Sequence, residues 1–274
     1  MKRVEQFYDE SVAREWERLE RHRTEYALTM RALRELLPPP SGEGPLRVVD
    51  VGSGPGRYAL ALAAAGYRVT PVDLAVENVR WAARRLAKRE GAAFEGFAQA
   101  NALHLPFAAG QFAAALLLGP LYHLHEHDER LRAVRETMRV VAAGGLIFAA
   151  FVTRFAGFRD SAAHYPEWPV EKRAYAEHIL RTGVHDDPES GFIHAYFAHP
   201  DEIEPLMAEA GLEKVKLLGL EGVVAGHEER VNALEGEAWE VWVELNYRLG
   251  HEPSLYGASD HLLFVGRVAT PADA

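Results

Sequence analysis

The sequence predicts an α/β fold in which a seven-stranded, mostly parallel sheet is covered by helices on both faces. Short apolar runs alternate with segments of helical periodicity through the middle of the chain. The 274 residues suffice for one large domain with insertions. Because parallel strands are joined by crossover connections, this alternation places helices on both sides of the sheet.

Residues 1–40 are predicted to form an N-terminal helical cover of one or two amphipathic helices. Tyr8, Val12, Trp16 and Leu19 recur at helical spacing, and three prolines at positions 38–40 end the segment. Charged residues interleave between them in the ordinary pattern of a solvated helix face: Arg14, Glu15, Glu17, Arg18, Glu20, Arg21 and Arg23.

Residues 41–151 are predicted to form the α/β core, which begins after a turn-rich linker at 41–45. The apolar runs and the helical segments between them are listed here in chain order. Strands are predicted at 46–51, 68–73, 93–98, 112–118 and 145–151, and helices at 56–65, 75–89 and 127–142, the last ending at Gly144 and Gly145.

The remaining chain is predicted to hold a lid and the end of the sheet. Residues 152–199 break the alternation and are rich in aromatic residues and histidine, which indicates an insertion over the edge where an acceptor would bind. Residues 200–274 complete the sheet: a helix at 200–210 ends at Gly211, strands follow at 213–221 and 260–268, and a helical insertion lies at 227–249.

Composition excludes several classes of function. Thirty Lys and Arg against forty Asp and Glu give a net charge of −10, which disfavours binding to nucleic acid or to an anionic membrane. Cysteine is absent, so thiolate metal sites and Cys nucleophiles are excluded. No apolar run approaches the roughly 18 residues of a membrane span. We therefore expect a soluble, cytoplasmic protein, and separately a monomer or a homodimer.

The strongest motif is the D-x-G-x-G-x-G pattern that closes the first predicted strand. Asp50 is followed by Gly52, Ser53, Gly54 and Gly56. A turn this bare of side chains lets a ligand lie against backbone amides. A dinucleotide-binding turn would have its third glycine one place later, where this chain has Arg57.

Three further strand ends carry polar or small residues. The second strand ends in Asp73, whose carboxylate can take both hydroxyls of a ribose or cap the next helix. Asn101 and Ala102 follow the third strand. Residues 119–124, Gly-Pro-Leu-Tyr-His-Leu, follow the fourth strand. Since the carboxyl ends of parallel strands share one edge, these residues are expected to meet there.

Together these motifs resemble the class I S-adenosylmethionine-dependent methyltransferases over residues 46–151, and residues 119–124 are similar to a bacterial subgroup. The resemblance implies a Rossmann-like sheet whose glycine turn holds the methionine part of the cofactor. It implies that Asp73 holds the ribose and that Asn101, where the family usually has Asp, meets adenine. The cofactor residues so expected are Asp50, Gly52, Ser53, Gly54, Gly56, Asp73, Leu74, Asn101, Ala102, Leu118 and Gly119, with Tyr8 and Trp16 as aromatic cover.

Catalytic candidates lie just beyond the fourth strand. His123 is a candidate general base or a packed histidine, and Tyr122 is the expected wall of the pocket. Gly119 and Pro120 supply neither the amide-binding Asn or Asp of base-modifying relatives nor a metal-binding carboxylate. His125 and His127 extend a histidine series, but without cysteine they are interpreted as the start of a helix, and no metal is expected.

The sequence thus predicts transfer of a methyl group from S-adenosylmethionine to O or N of a small organic acceptor, leaving S-adenosylhomocysteine. Methylation of RNA or protein, a nicotinamide-dependent oxidoreductase and a non-catalytic cofactor-binding protein remain as alternatives. The acceptor itself is not specified by any motif.

Overall fold

A computed structural model describes residues 2–40, 46–86, 93–187 and 192–270, and it confirms the predicted fold class. Seven strands form one sheet in the order β3-β2-β1-β4-β5-β9-β8, in which only β9 runs antiparallel to its neighbours. The strands are β1 Arg47–Val51, β2 Arg68–Asp73, β3 Ala98–Gln99, β4 Phe112–Leu117, β5 Val141–Val152, β8 Leu212–Gly219 and β9 His261–Val268, with β6 Val184–His185 and β7 Ala195–Tyr196 in a separate hairpin.

Helices pack on both faces of this sheet and precede it. In chain order they are α1 Lys2–Asp9, α2 Val12–Arg21, α3 Arg23–Leu36, α4 Arg57–Ala64, α5 Val76–Leu86, α6 His127–Val140, α7 Ala156–His164, α8 Trp168–Glu171, α9 Arg173–Thr182, α10 Pro200–Ala210, α11 Glu228–Asn232 and α12 Gly236–Leu249. Short 3₁₀ turns occupy Pro120–His123, Gly222–Val224 and Pro253–Ala258.

Two helical predictions need correction. The N-terminal cover has three helices rather than one or two, with breaks at Ser11 and His22 that lack helical backbone angles. The predicted stretch 227–249 is divided between α11 and α12. The linker at 41–45 and the predicted end of the second core helix, 87–89, lie outside the described residues.

Two strand predictions also need correction. The predicted strand 93–98 is reduced to β3, because Phe94 makes only an isolated bridge to Val69 and the ladder with β2 starts at Ala98. β5 begins at Val141, so Gly144 and Gly145 do not end the preceding helix. They lie inside β5, at a shift in its register with β4.

The core consists of two apolar layers, one on each face of the sheet. Strand side chains alternate between them: Val49 and Val51 lie in one layer and Val48 in the other. The first layer packs on α6 and α10, and the second on α3, α4 and α12. The sheet is therefore rigid where β1 and β4 lie side by side, and their carboxyl ends are fixed relative to each other.

Residues 152–199 hold α7 to α9 and the β6–β7 hairpin, which share a small apolar cluster of their own. Ile179, Ala195 and Phe197 pack there on Val152 at the end of β5. No helix in the described part of the chain is both long enough and apolar enough to cross a bilayer.

Candidate active site

A cavity opens at the carboxyl ends of β1 and β4, where the strand order of the sheet reverses. This is the place where open α/β sheets bind ligands. It contains about 1020 Å³ of empty space, part of it continuous with solvent. The predicted residues that line it are Tyr8, Asp50, Gly52, Ser53, Gly54, Asp73, Leu74, Ala102, Leu118, Gly119, Tyr122 and His123.

The glycine turn needs its glycines for backbone conformation and for close approach. Gly52, Gly54 and Gly56 have φ of +71°, +53° and +86°. A Cβ on Gly52 would lie 2.6 Å from the Pro120 ring, so the turn after β1 and the turn after β4 touch only because Gly52 is bare. A Cβ on Gly54 would meet nothing within 4 Å, which leaves this backbone open to the cavity.

Asp73 ties the ends of β1 and β2 together. Its Oδ2 accepts a hydrogen bond from the Gly54 amide at 2.7 Å, and its Oδ1 accepts from the Ala75 amide at 2.9 Å and from Asn78 Nδ2 at 3.2 Å. Burial raises the pKa of Asp73, and these three hydrogen bonds oppose the shift. The carboxylate is therefore held in place while it borders the cavity.

Two oxygens on cavity-lining residues are buried without a hydrogen-bond partner. They are Asp50 Oδ2 and Asn78 Oδ1, on side chains only 2% and 1% exposed. Burial, and next the charge of Asp73, raise the pKa of Asp50 to about 7. Buried acceptors normally have partners, so both oxygens fit a ligand that carries hydrogen-bond donors.

Tyr8 and His123 meet across the cavity. The Tyr8 hydroxyl lies 2.7 Å from His123 Nε2, and His123 Nδ1 lies 3.1 Å from the backbone oxygen of His194. A carbonyl only accepts, so Nδ1 carries the proton and Nε2 accepts from Tyr8. Burial lowers the pKa of His123 to about 4, so the ring is neutral at pH 7.

Helix α1 forms a roof over the cavity and is held by few contacts. Besides the Tyr8 bond, Arg3 pairs with Asp186 at 2.9 Å on the surface, Glu5 Oε1 accepts from Gln99 Nε2 at 3.3 Å, and Asp9 Oδ1 accepts from the Glu77 amide at 2.8 Å. Val4 is its one buried residue.

Glu15 and Arg18 also line the cavity, and sequence reasoning missed both. The Arg18 guanidinium forms two hydrogen bonds to Glu25, at 2.7 and 3.1 Å, and its Nε lies 3.8 Å from Glu15 Oε2. The charge pattern of α2 resembled a solvated face because the partner, Glu25, lies on the next helix. A signal was nevertheless present, since both residues follow Tyr8 by 7 and 10 residues in the segment predicted to cover the site.

Behind Arg18, a buried ionic network continues into the sheet. Glu25 lies 4.0 Å from His261 Nδ1, which is 2.6 Å from Glu221 Oε1. Glu221 is completely buried, and its Oε2 accepts from Ser259 Oγ at 2.9 Å. Burial alone would lower the pKa of His261, but the carboxylates of Glu25 and Glu221 outweigh it and raise this pKa to about 9. The network thus alternates two cations with two anions.

Within the described residues, Glu25, Glu221 and His261 are the group whose spacing could suit a metal ion. Both Glu25 oxygens already bind Arg18, and Glu221 binds Ser259 and His261. With a pKa of about 9 His261 is protonated at neutral pH and offers no lone pair on Nδ1. This geometry is that of an ion-pair network.

Three predicted cofactor residues do not line the cavity. Asn101 turns its Oδ1 back to the Leu103 amide at 2.9 Å, as in an Asx turn. Trp16 packs on Trp81, with ring centroids 4.7 Å apart, and lies beneath guanidinium groups of α4 and α5. Gly56 acts through packing, since its Cβ would lie 2.7 Å from Leu86.

The insertion at 152–199 does not cover the cavity as predicted. Among the described residues of the insertion, 152–187 and 192–199, none lines the cavity. The Phe192 ring instead packs at a tilt against Tyr122 and His123, with ring centroids 5.7 and 5.3 Å away. The insertion follows β5, one strand away from the β1–β4 junction, so the roof is made by α1 and α2.

The two further histidines after the fourth strand take separate places. The His125 ring stacks on His194 at 3.7 Å, and His127 starts α6 and pairs with Glu209 at 2.9 Å.

Comparison with known proteins identifies the domain that carries this cavity. A family model described as a methyltransferase domain matches residues 49–149. Residues 49–149, which include the glycine turn and the ends of β1, β2 and β4, are thus similar to a methyltransferase domain. S-adenosylmethionine is the methyl donor that this match implies, and the open Gly54 backbone and the unpartnered oxygens of Asp50 and Asn78 fit its hydroxyl, amino and ammonium groups.

Relatives are similar over part of their length. An uncharacterized protein of Mycobacterium tuberculosis is 39% identical over 102 residues, 37% of this chain and 35% of that protein. The match thus spans about a third of that curated relative. A malonyl-[acyl-carrier protein] O-methyltransferase of Geobacter sulfurreducens is 32% identical over 181 residues, 64% of this chain and 59% of that enzyme.

The likeness in fold extends over most of the chain. A solved S-adenosylmethionine-dependent methyltransferase of Thermotoga maritima, described as a possible histamine N-methyltransferase, superposes with a TM-score of 0.57. The alignment has 19% identity and covers 96% of this chain and 98% of that one.

Because of the ionic network, we expect the free energy of unfolding to fall as the pH rises into the alkaline range. The pKa of His261 is about 9 in the folded protein against 6.5 for an ordinary histidine. Its contribution is therefore fully present below about pH 6.5 and is lost as the pH rises through about 9. We expect urea unfolding of His261→Gln to show a loss on the order of 2 kcal/mol at pH 6.5 that vanishes near pH 10.

His127→Gln, which removes only an exposed pair with Glu209, is the control and should follow the parent at every pH. A stability difference for His261→Gln that stays constant between pH 6.5 and 10 would contradict the charged state of His261.

Proposed function

We propose that this protein is an S-adenosylmethionine-dependent methyltransferase that methylates an O or N atom of a small organic acceptor. The observation that carries the proposal is the cavity at the β1–β4 junction, where an open glycine turn, a fixed carboxylate and two unpartnered buried oxygens converge. S-adenosylmethionine supplies an electrophilic methyl group when bound. The protein then has to orient the acceptor toward this methyl group, exclude water from the cavity and accept the proton of the acceptor.

In this proposal the cofactor contacts are divided among the strand ends. Asp73 binds the ribose hydroxyls, because its carboxylate is fixed and borders the cavity. Asp50 Oδ2 binds the ammonium of the amino-acid end, and the charge of the cavity-lining Arg18 guanidinium, which is held by Glu25, attracts its carboxylate. Ala102 and Leu74 line the adenine side. We keep Asn101 and Trp16 out of direct contact because their side chains are engaged elsewhere.

The acceptor side is assigned to Tyr8, Tyr122 and His123. His123 is neutral at pH 7, and its Nε2 already accepts from the Tyr8 hydroxyl. As the acceptor atom gains the methyl group, its proton passes to the Tyr8 oxygen while the Tyr8 proton passes to His123 Nε2. His194 O holds the Nδ1 proton throughout and fixes the ring. Tyr8 is thus a catalytic candidate in addition to the predicted His123.

The class of acceptor follows from size and charge. Both O and N remain open, since the Geobacter relative is named an O-methyltransferase and the Thermotoga structure is described as a possible N-methyltransferase. The cavity is roofed by α1 and α2, and it is lined by Glu15, Asp50 and Asp73. A net charge of −10 adds to this acidity. An RNA polyanion therefore fits poorly, and a small molecule fits better.

Binding of S-adenosylhomocysteine, measured by titration calorimetry, tests the cofactor assignment. The intact protein should bind it, and Asp73→Asn should weaken binding about a hundredfold, because hydrogen bonds to a charged acceptor are lost. Asp160→Asn, a substitution on the exposed face of α7, should leave the affinity unchanged. A parent protein that does not bind S-adenosylhomocysteine would end the methyltransferase proposal.

The pH dependence of the same binding tests Asp50. With a pKa near 7 in the free protein, Asp50 is mostly protonated at pH 5.5 and mostly ionised at pH 7.5. An ammonium group prefers the ionised form, so the dissociation constant should fall about tenfold across this range. Asp50→Asn should remove most of that change. An equally steep profile in the variant would assign the dependence to another group.

Turnover tests His123. We expect His123→Ala and Tyr8→Phe each to lower kcat about a hundredfold while the affinity for S-adenosylhomocysteine changes little, because the proton route is interrupted. Acceptors come from a screen of small phenols, amines and carboxylic acids with tritiated S-adenosylmethionine. His127→Ala is the matched control on an exposed histidine. A His123→Ala enzyme with parental kcat would remove the base from the mechanism.

A further inference from the structure

Helix α12 presents an apolar stripe to solvent on the side opposite to its buried face. Its inward residues include Asn246 and Tyr247, which pack on the domain. Val241, Trp242 and Leu245 are 49%, 38% and 42% exposed, and Ala238 is exposed one turn earlier. The spacing of 3, 1 and 3 residues places all four on one helical face, about 11 Å long at 1.5 Å per residue.

Charged residues of opposite sign lie at the two ends of this stripe. Glu237 lies beside its N-terminal end and Arg248 beside its C-terminal end. Successive residues are 100° apart on a helix, so both fall along the same edge of the stripe. Both side chains are exposed, and within the described residues no ion pair or hydrogen bond engages either of them. Glu244, on that edge between them, is already paired with Arg31 at 2.5 Å.

We propose that α12 is the contact surface of a homodimer in which the helix packs antiparallel against the same helix of a second copy. A two-fold axis between Val241 and Trp242 brings Ala238 opposite Leu245 of the partner subunit. The same operation brings Glu237 next to Arg248 of the partner subunit, and this happens twice. We therefore assign this surface to a second copy of the chain, because the two-fold arrangement matches the stripe to itself in shape and in charge.

The size of the surface sets the strength of the dimer. The stripe offers one helix face, well below the roughly 800 Å² per partner of a standard interface. A reversible dimer with a micromolar dissociation constant is therefore expected. The cavity is formed without this surface, so a monomer retains the complete cofactor site.

Sedimentation velocity of the full chain between 2 and 200 µM tests the proposal. The parent should shift reversibly from monomer to dimer, and Leu245→Asp should remain monomeric across the range. Val170→Asp, at an 82% exposed apolar residue of α8, is the matched control and should dimerise like the parent. A parent that stays monomeric at 200 µM, or a dimer unaffected by Leu245→Asp, would overturn the interface.

Charge reversal tests the antiparallel arrangement. Glu237→Arg and Arg248→Glu should each raise the dimer dissociation constant roughly fivefold, since surface ion pairs contribute modestly. The double variant restores opposite charges and should return to the parental value. Circular dichroism and calorimetric binding of S-adenosylhomocysteine verify that each variant is folded. Failure of the double variant to recover, with both single variants weakened, would exclude this pairing.

Discussion

The site depends on close contact between the turns that end β1, β2 and β4. The Asp73 carboxylate accepts from the Gly54 amide, and bare Gly52 admits the Pro120 ring. These two contacts fix three strand ends whose strands are already locked by two apolar layers. A side chain at Gly52 would push the Pro120 ring away and separate them. Every other part of the cavity, including the roof helices, is positioned relative to this junction.

The parts of the fold that could be predicted are those with short-range signals. β1, β2, β4 and the glycine turn are recognisable because strand runs, glycines and an acidic strand end lie close in sequence. The third strand is shorter than predicted. Its one neighbour is β2, and besides the isolated bridge at Phe94 only Ala98 and Gln99 pair with β2. Edge strands have only one partner to hold them, and periodicity does not report this.

The parts of the site that could not be predicted depend on distant partners. Arg18 lies in the cavity because Glu25 and, behind it, His261 and Glu221 hold its charge, and these residues are spread over more than 200 positions. Trp16 pointed to an aromatic cover by periodicity alone, but Trp81 on α5 binds its ring. The insertion is rich in histidine and aromatic residues, yet none of its described residues lines the cavity, and several pack in the small apolar cluster at the end of β5. Residue type identified candidates, and tertiary packing decided among them.

The weakly held roof has a consequence for exchange with solvent. Helix α1 covers the cavity and buries little besides Val4, and its surface pair with Asp186 is screened by salt. Undocking it breaks the Tyr8–His123 hydrogen bond and opens the cavity in one motion. In the proposed mechanism, cofactor entry and the assembly of the proton route are therefore coupled, because the Tyr8 hydroxyl both closes the entrance and completes the route. A bulky tag fused ahead of Lys2 would act on this motion and slow both steps together.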